Sequence, residues 1–185
     1  MLKSELAVMK SLNYDGRTIL SGRSGRKQAW GNIAWEGQQV KWSTLPDGRD
    51  VTRVVEEGAL DTLPPCWLKI WNTGEYGDMM WDGSAGFSFV SDRFVTAVRD
   101  AGFTDGYQLL PLDVQPKRGD RFPGYSLLLP DNHDREALIR SYPFAYRSWS
   151  YLDVSGDVMA ALVSAGAIAL HQEEAPAAVA RLLES

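Results

Sequence analysis

Glycine, arginine and lysine gather between Ser21 and Lys27 (SGRSGRK), the composition of a phosphate cradle. A phosphate loop of the G-x-x-x-x-G-K-[ST] kind also needs a preceding strand and a helix whose first amides face the phosphate. Here Gly22 and Gly25 stand too close, Gln28 follows Lys27, and strand-like sequence comes next, so the segment reads as a basic turn. His133 and His171 are the only histidines. Neither has a second histidine or a cysteine at ligand spacing, whereas zinc needs three or four convergent donors. Asn132-His133-Asp134 reads as the polar entry to a helix, and His171 as the end of a strand. The lone cysteine, Cys66 in PPCWL, has no nearby cation to lower its pKa and is expected to be a buried, quiet thiol. No serine sits in a G-x-S-x-G elbow, and Ser91 and Ser155 read as helix caps. No catalytic set, metal site or cofactor site is therefore expected.

A different constellation surrounds the apolar run CWLKIW. The carboxylates Glu56, Glu57, Asp61, Glu75, Asp78 and Asp82 lie in or beside it, interleaved with Trp71, Tyr76 and Trp81. Aromatic anchors ringed by charge suit protein recognition, since large rings supply contact area and charges supply selectivity. Glu56, Glu57, Trp71, Glu75, Tyr76, Asp78, Trp81 and Asp82 are the candidate partner-contacting residues. Paired carboxylates also serve acid–base chemistry, but nothing in the sequence fixes their separation.

Composition narrows the classes. The chain has 185 residues, 44% hydrophobic and 23% charged, with a formal net charge of -5. That length suits one domain able to bury a core without covalent staples. The negative charge argues against a nucleic-acid binder, which shows a basic face to phosphates, and would favour encounter with a basic partner. No run is long and apolar enough for a membrane helix, and MLKSELAVMK lacks the apolar centre of a signal peptide. One cysteine admits no internal disulfide, which fits a reducing, cytoplasmic setting. Of seven tryptophans, Trp30, Trp35, Trp42, Trp67 and Trp71 fall before residue 76.

The elements that would position these residues follow from periodicity. Leu2 to Leu12 reads as a short helix and Asn13 to Gly25 as turn and loop. QAWGNIAW and QQVKW read as two strands around Glu36-Gly37, and VTRVVEE, after the turn at Pro46-Asp47-Gly48, as another by its β-branched residues. With CWLKIW, this makes residues 1–75 mainly an antiparallel β portion. Residues 76–185 are mixed. GFSFV runs into Ser91, a good N-cap; Phe94, Val95, Val98 and Ala101 share one helical face; Gly102 stops the helix; and GYQLLPLDV returns as a strand. The same order recurs 64 positions on: YLDV, Ser155, a helix with Val158, Met159, Leu162 and Ala165 on one face, Gly166, then AIALH. The units at 86–113 and 149–171 read as an internal repeat. Asp131 to Tyr142 reads as a helix ending before Pro143, and a last helix starts at Pro176. The expectation is one α+β domain: an antiparallel sheet in the N-terminal third, followed by two strand–helix–strand units.

The stretch from Tyr76 to Val114 resembles an immunity-protein family of bacterial polymorphic toxin systems, formerly a domain of unknown function. That family carries an Asp shortly before a strand, a V-S-[DE]-R helix start, an amphipathic helix and G-x-[TK]-G before the next strand. The matching residues are Asp78, then Val90-Ser91-Asp92-Arg93, then Gly102-Phe103-Thr104-Asp105-Gly106. Asp105 is an insertion relative to the pattern, and the unit from Val154 has Gly156-Asp157 in place of Asp92-Arg93. The resemblance does not reach residues 1–60. It implies a protein that neutralises a cognate toxin by direct stoichiometric binding; composition and motifs add the expectation of no cofactor, no nucleic acid and no membrane. The negative charge suits a toxin of basic character. An enzyme of unassigned class with a cleft site, or a regulatory protein-binding module, are the alternatives.

Overall fold

A computed structural model of the chain describes residues 16–21, 28–37, 44–82, 87–130, 138–141, 151–167 and 171–174. The elements are β1 (Arg17–Ser21), β2 (Trp30–Trp35), helix α1 (Val51–Glu56), a 3-10 turn (Leu60–Thr62), β3 (Cys66–Ile70), β4 (Met79–Asp82) and β5 (Ser88–Ser91). They continue with α2 (Asp92–Asp100), β6 (Tyr107–Gln115), β7 (Phe122–Pro130), β8 (Ile139–Ser141), β9 (Tyr151–Ser155), α3 (Gly156–Ser164) and β10 (His171–Glu174). The fold is α+β: a closed six-stranded barrel, β2-β3-β6-β7-β5-β4, and a four-stranded sheet, β10-β1-β9-β8.

Both expected strand–helix–strand units are present, the second returning on β10, which His171 starts instead of ending as expected, and their helices begin and end by the same bonds. The Ser91 hydroxyl accepts from the Phe94 amide at 3.1 Å, and the Ser155 hydroxyl from the Val158 amide at 3.3 Å. These caps satisfy amides that have no partner within the helix. At the other end Gly102 and Gly166 adopt φ of 92° and 67°, the left-handed region where a Cβ is penalised. Their amides bond back to Arg99 and Val163, and the following amides to Val98 and Leu162, in the Schellman pattern.

The duplication extends beyond these units. β5 pairs with β4 (Met79↔Val90) and with β7 (Ser91↔Tyr125), and β7 pairs with β6 (Pro111↔Ser126). β9 pairs with β8 (Ile139↔Val154) and with β1 (Arg17↔Ser155), and β1 pairs with β10 (Thr18↔Glu174). All six pairings are antiparallel. The order β4-β5-β7-β6 is thus repeated as β8-β9-β1-β10, with β1, which precedes the other described strands along the sequence, in the place of β7. The repeat is circularly permuted.

Packing obeys the same equivalence. One apolar cluster joins Met79 with Ile139, Val90 with Val154, Phe94 with Val158, Val98 with Leu162, and Leu128 with Leu20, each pair occupying matching positions. Ala97 and Leu152 complete its buried set. The two units therefore share one core, into which α2 and α3 both turn their apolar faces. Fully burying side chains of this size stabilises by roughly 1.5–3 kcal/mol each before ordering costs are counted.

The first sheet differs in being closed. β2 and β3, antiparallel to each other, lie parallel to β4 and β6 and bridge its two edges. Closure leaves no unpaired edge in the barrel. Alternation along the strands sends Met80, Phe89 and Leu127 into a second cluster with Ile33, Trp35, Leu68, Ile70, Leu112 and Val114. Strand β5 is buried on both faces as a result.

Four expectations are corrected. Residues 51–56 form helix α1, not a strand: Asp50 caps it by accepting from the Thr52 amide at 2.8 Å, and Val51, Val54 and Val55 recur at helical spacing in the barrel cluster. Packing of that face outweighs the modest strand preference of valine. Arg17–Ser21, read as loop, is the central strand β1, with Ile19 and Leu20 buried. Ile139–Ser141, read within a helix, is strand β8. The first third is not one antiparallel sheet, because β1 belongs to the other sheet and the barrel contains parallel pairs. The helices expected at residues 2–12 and from 176, and the strand QQVKW, lie outside the described residues.

Candidate functional site

Strand β3 turns Leu68 and Ile70 toward the barrel interior and Trp67 and Lys69 outward. Trp71 continues the outer row, half-buried. Two cations stand on these indoles: the Arg121 guanidinium lies 3.6 Å from the Trp67 ring centroid, and the Lys69 ammonium 4.5 Å from that of Trp71. A cation over an indole face is attracted by the ring's negative quadrupole, more strongly where water is excluded. The Trp71 indole N–H donates to the Asn32 side-chain oxygen at 2.8 Å, and Arg121 Nε donates to Gln115 Oε1 at 3.0 Å. Six side chains, from β2, β3 with the residue that follows it, β6 and the turn before β7, are thereby tied together on one outer wall.

The loop after β3 is held with similar economy. Asn72 accepts from the Trp30 amide at 3.2 Å and donates to the Gln28 carbonyl at 2.7 Å, while the Ala29 amide donates to the Glu75 carbonyl at 2.8 Å. Gly74 makes that approach feasible, since a Cβ there would lie 2.3–2.5 Å from backbone atoms of Gln28 and Ala29. Tyr76, half-buried, packs edge-on against Phe122 with centroids 5.5 Å apart. Burial raises the Tyr76 hydroxyl above its ordinary pKa.

The eight candidate contact residues are therefore not one patch. Trp71, Glu75 and Tyr76 occupy this wall and its loop, with Glu75 exposed. Glu57 is exposed at the end of α1 and ion-paired with Arg53 at 2.7 Å, a contact that raises the arginine's pKa. Glu56, Trp81 and Asp82 lie in α1 and β4, and their side chains are outside the described residues. Asp78 is a correction. It is 1% exposed and sits behind the surface, accepting from the Ser91 hydroxyl at 2.5 Å and from Arg93 Nε at 2.9 Å.

This buried group makes the Ser91 cap more than a local device. Its oxygen accepts from Phe94 while its proton goes to Asp78, so the hydroxyl has no part left for a nucleophile. Tyr125 donates to the Gly77 carbonyl at 2.8 Å, and its hydroxyl is pushed to high pKa chiefly by burial and then by Asp78. In the second sheet, buried Asp153 accepts from Arg17 Nε at 2.6 Å. These carboxylates are structural.

Cys66 is half-buried, less enclosed than expected, and burial raises its thiol to about 11. Among the described residues no group of three metal-ligating side chains converges, and no helix is long and apolar enough to cross a membrane. The cationic partners of the tryptophans escaped sequence reading because Arg121 is far from Trp67 along the chain. The alternation of Trp67, Lys69 and Trp71 was the one local signal. Compared with family models, curated proteins and solved structures, the chain matches none.

Proposed function

We propose that this protein acts by stoichiometric binding to a protein partner, as an immunity protein that neutralises a cognate toxin, and that the outer wall of the barrel carries the contact. The observation that supports this reading is the row Trp67–Lys69–Trp71, half-exposed rings locked in place by Arg121, Gln115 and Asn32. Prearranged aromatic and arginine side chains lose little freedom on binding and dominate the energetics of many interfaces. The wall stands on a closed barrel, a rigid support of the kind a recognition surface requires.

The test is rescue. Cells producing a toxin encoded beside this chain should survive when the chain is co-expressed, with protection saturating near one molecule of binder per toxin. Replacing Trp67 or Trp71 by alanine should weaken binding by about tenfold or more, on the order of 2 kcal/mol for a central aromatic anchor. The denaturation midpoint of each variant separates lost binding from lost fold. Protection at strongly substoichiometric levels would mean turnover and would overturn the proposal.

A further inference from the structure

We infer that the site-facing part of the partner is acidic, and that Arg121 is the residue that takes its carboxylate. This rests on the proposed binding role of the barrel wall and reverses the polarity that net charge alone suggested.

The described cations differ in what they touch. Arg17, Arg49, Arg53 and Arg93 each hold a carboxylate, from Asp153, Asp47, Glu57 and Asp78 respectively. Lys69, Arg99, Lys117, Arg118 and Arg121 hold none among the described residues, and of these only Arg121 and Lys69 stand over an indole. Arg121 is nonetheless fixed, stacked on Trp67 and bonded through Nε to Gln115. Its two terminal nitrogens meet no acceptor among the described residues, and neither does the indole N–H of Trp67. An immobilised guanidinium with a free pair of parallel donors matches the two oxygens of a carboxylate, and a flat ring beneath it limits access by water. Lys69, over the neighbouring indole, adds a second positive charge along the same row.

The local sign matters because the whole chain carries a net charge of -5. An acidic partner meets overall repulsion, so specific attraction must come from short range, inside the Debye length of about 8–10 Å. The same balance disfavours nucleic acid. A phosphodiester chain brings a charge at every nucleotide and would meet exposed Asp113, paired in register with Trp67, and Asp120 at the hairpin turn. A single acidic side chain or chain end needs only the Arg121 corner.

The experiment is a titration of the intact protein, at low salt, with a short glycine–serine peptide that carries one glutamate and blocked ends, read by the indole N–H signals of the seven tryptophans. Two indole signals, those of Trp67 and Trp71, should move together and saturably. R121Q should weaken the apparent affinity at least tenfold and K69Q several-fold, while R99Q, on the exposed end of α2, should leave it unchanged. Unmoved Trp67 and Trp71 signals, equal binding by R121Q, or tighter binding of a short oligothymidylate or of inorganic phosphate would each overturn the inference. Toxin rescue reads binding through any surface, so rescue without peptide binding would sink this inference alone, and loss of rescue with peptide binding would sink the proposed function alone.

Discussion

Arg17 and Tyr125 occupy the same place in two sheets and reach across to neighbouring points, one position apart in the matching register. Tyr125 stands opposite Ser91 and donates to the Gly77 carbonyl, two residues before β4 begins. Arg17 stands opposite Ser155, and its Nη2 donates at 3.4 Å to the Leu138 carbonyl, one residue before β8 begins. A neutral phenol and a guanidinium thus perform one task, tying the third strand of each sheet to the first. The arginine does more, because it also neutralises Asp153, which is 1% exposed.

That difference sets an expectation for Arg17. Replacing it with methionine keeps the length and apolar stem but takes the Arg17 guanidinium away from the buried Asp153 carboxylate. Removing one partner of a buried ion pair costs about 3–5 kcal/mol. Urea denaturation of R17M should show a midpoint far below that of the parent, and R17M/D153L should recover most of the loss. A midpoint close to the parent in R17M would mean that β1 is not the anchor described.

The two serine caps should respond unequally to loss of the hydroxyl. S155A removes one acceptor from a helix start and should cost about 1 kcal/mol. S91A removes the same acceptor and also a donor to buried Asp78, and bonds to charged groups are worth about 1.5–3 kcal/mol. The S91A midpoint should therefore fall clearly below that of S155A. Equal losses would show that the Asp78 contact adds nothing.

Cys66 gives a pH-dependent readout. With its thiol at about 11, little thiolate exists at neutral pH, and iodoacetamide labelling of the native protein should stay slow until strongly alkaline conditions. The unfolded thiol ionises near 9.0, so the native state keeps a proton that the unfolded state loses between pH 9 and 11. Stability conferred by this group is complete below that window and declines through it. C66A should flatten that part of the stability profile. Rapid labelling at pH 7 would contradict the burial of the sulfur.

Gly74 should tolerate no side chain. G74A drives a methyl group into the backbone of Gln28 and Ala29 and should displace the loop that carries Glu75 and Tyr76. A lowered thermal midpoint together with altered Trp71 and Trp30 indole signals is the expected outcome, and an unaltered spectrum would show that the loop has room.

What could be read from sequence were features written within a few residues of one another. Ser91 with Gly102, and Ser155 with Gly166, bracket amphipathic stretches, and both helices lie between them. Asp50 with Val51, Val54 and Val55 carried the same kind of message for α1, but valine's strand preference masked the three-to-four spacing. β1 offered only Ile19 and Leu20 among polar neighbours, and its central position depends on β9 and β10 at the far end of the chain. Barrel closure by β2 and β3 is likewise a matter of pairing across distance. The site divided in the same way: Trp71 and Tyr76 were legible as aromatics among charges, whereas the burial of Asp78 and the stacking of Arg121 on Trp67 exist only in three dimensions.

The placement of β1 bears on how the chain is made. During synthesis β1 leaves the ribosome before any other described strand, yet its neighbours β9 and β10 come last. The barrel has all six strands once Pro130 has emerged, and it can assemble while translation continues. The second sheet is complete only once His171–Glu174 has emerged, and until Tyr151–Ser155 is made β1 has neither of its strand neighbours. Long-range strand pairing of this kind is slow and exposes apolar segments to other chains. Nascent-chain crowding on a shared messenger should therefore penalise the second sheet while sparing the barrel.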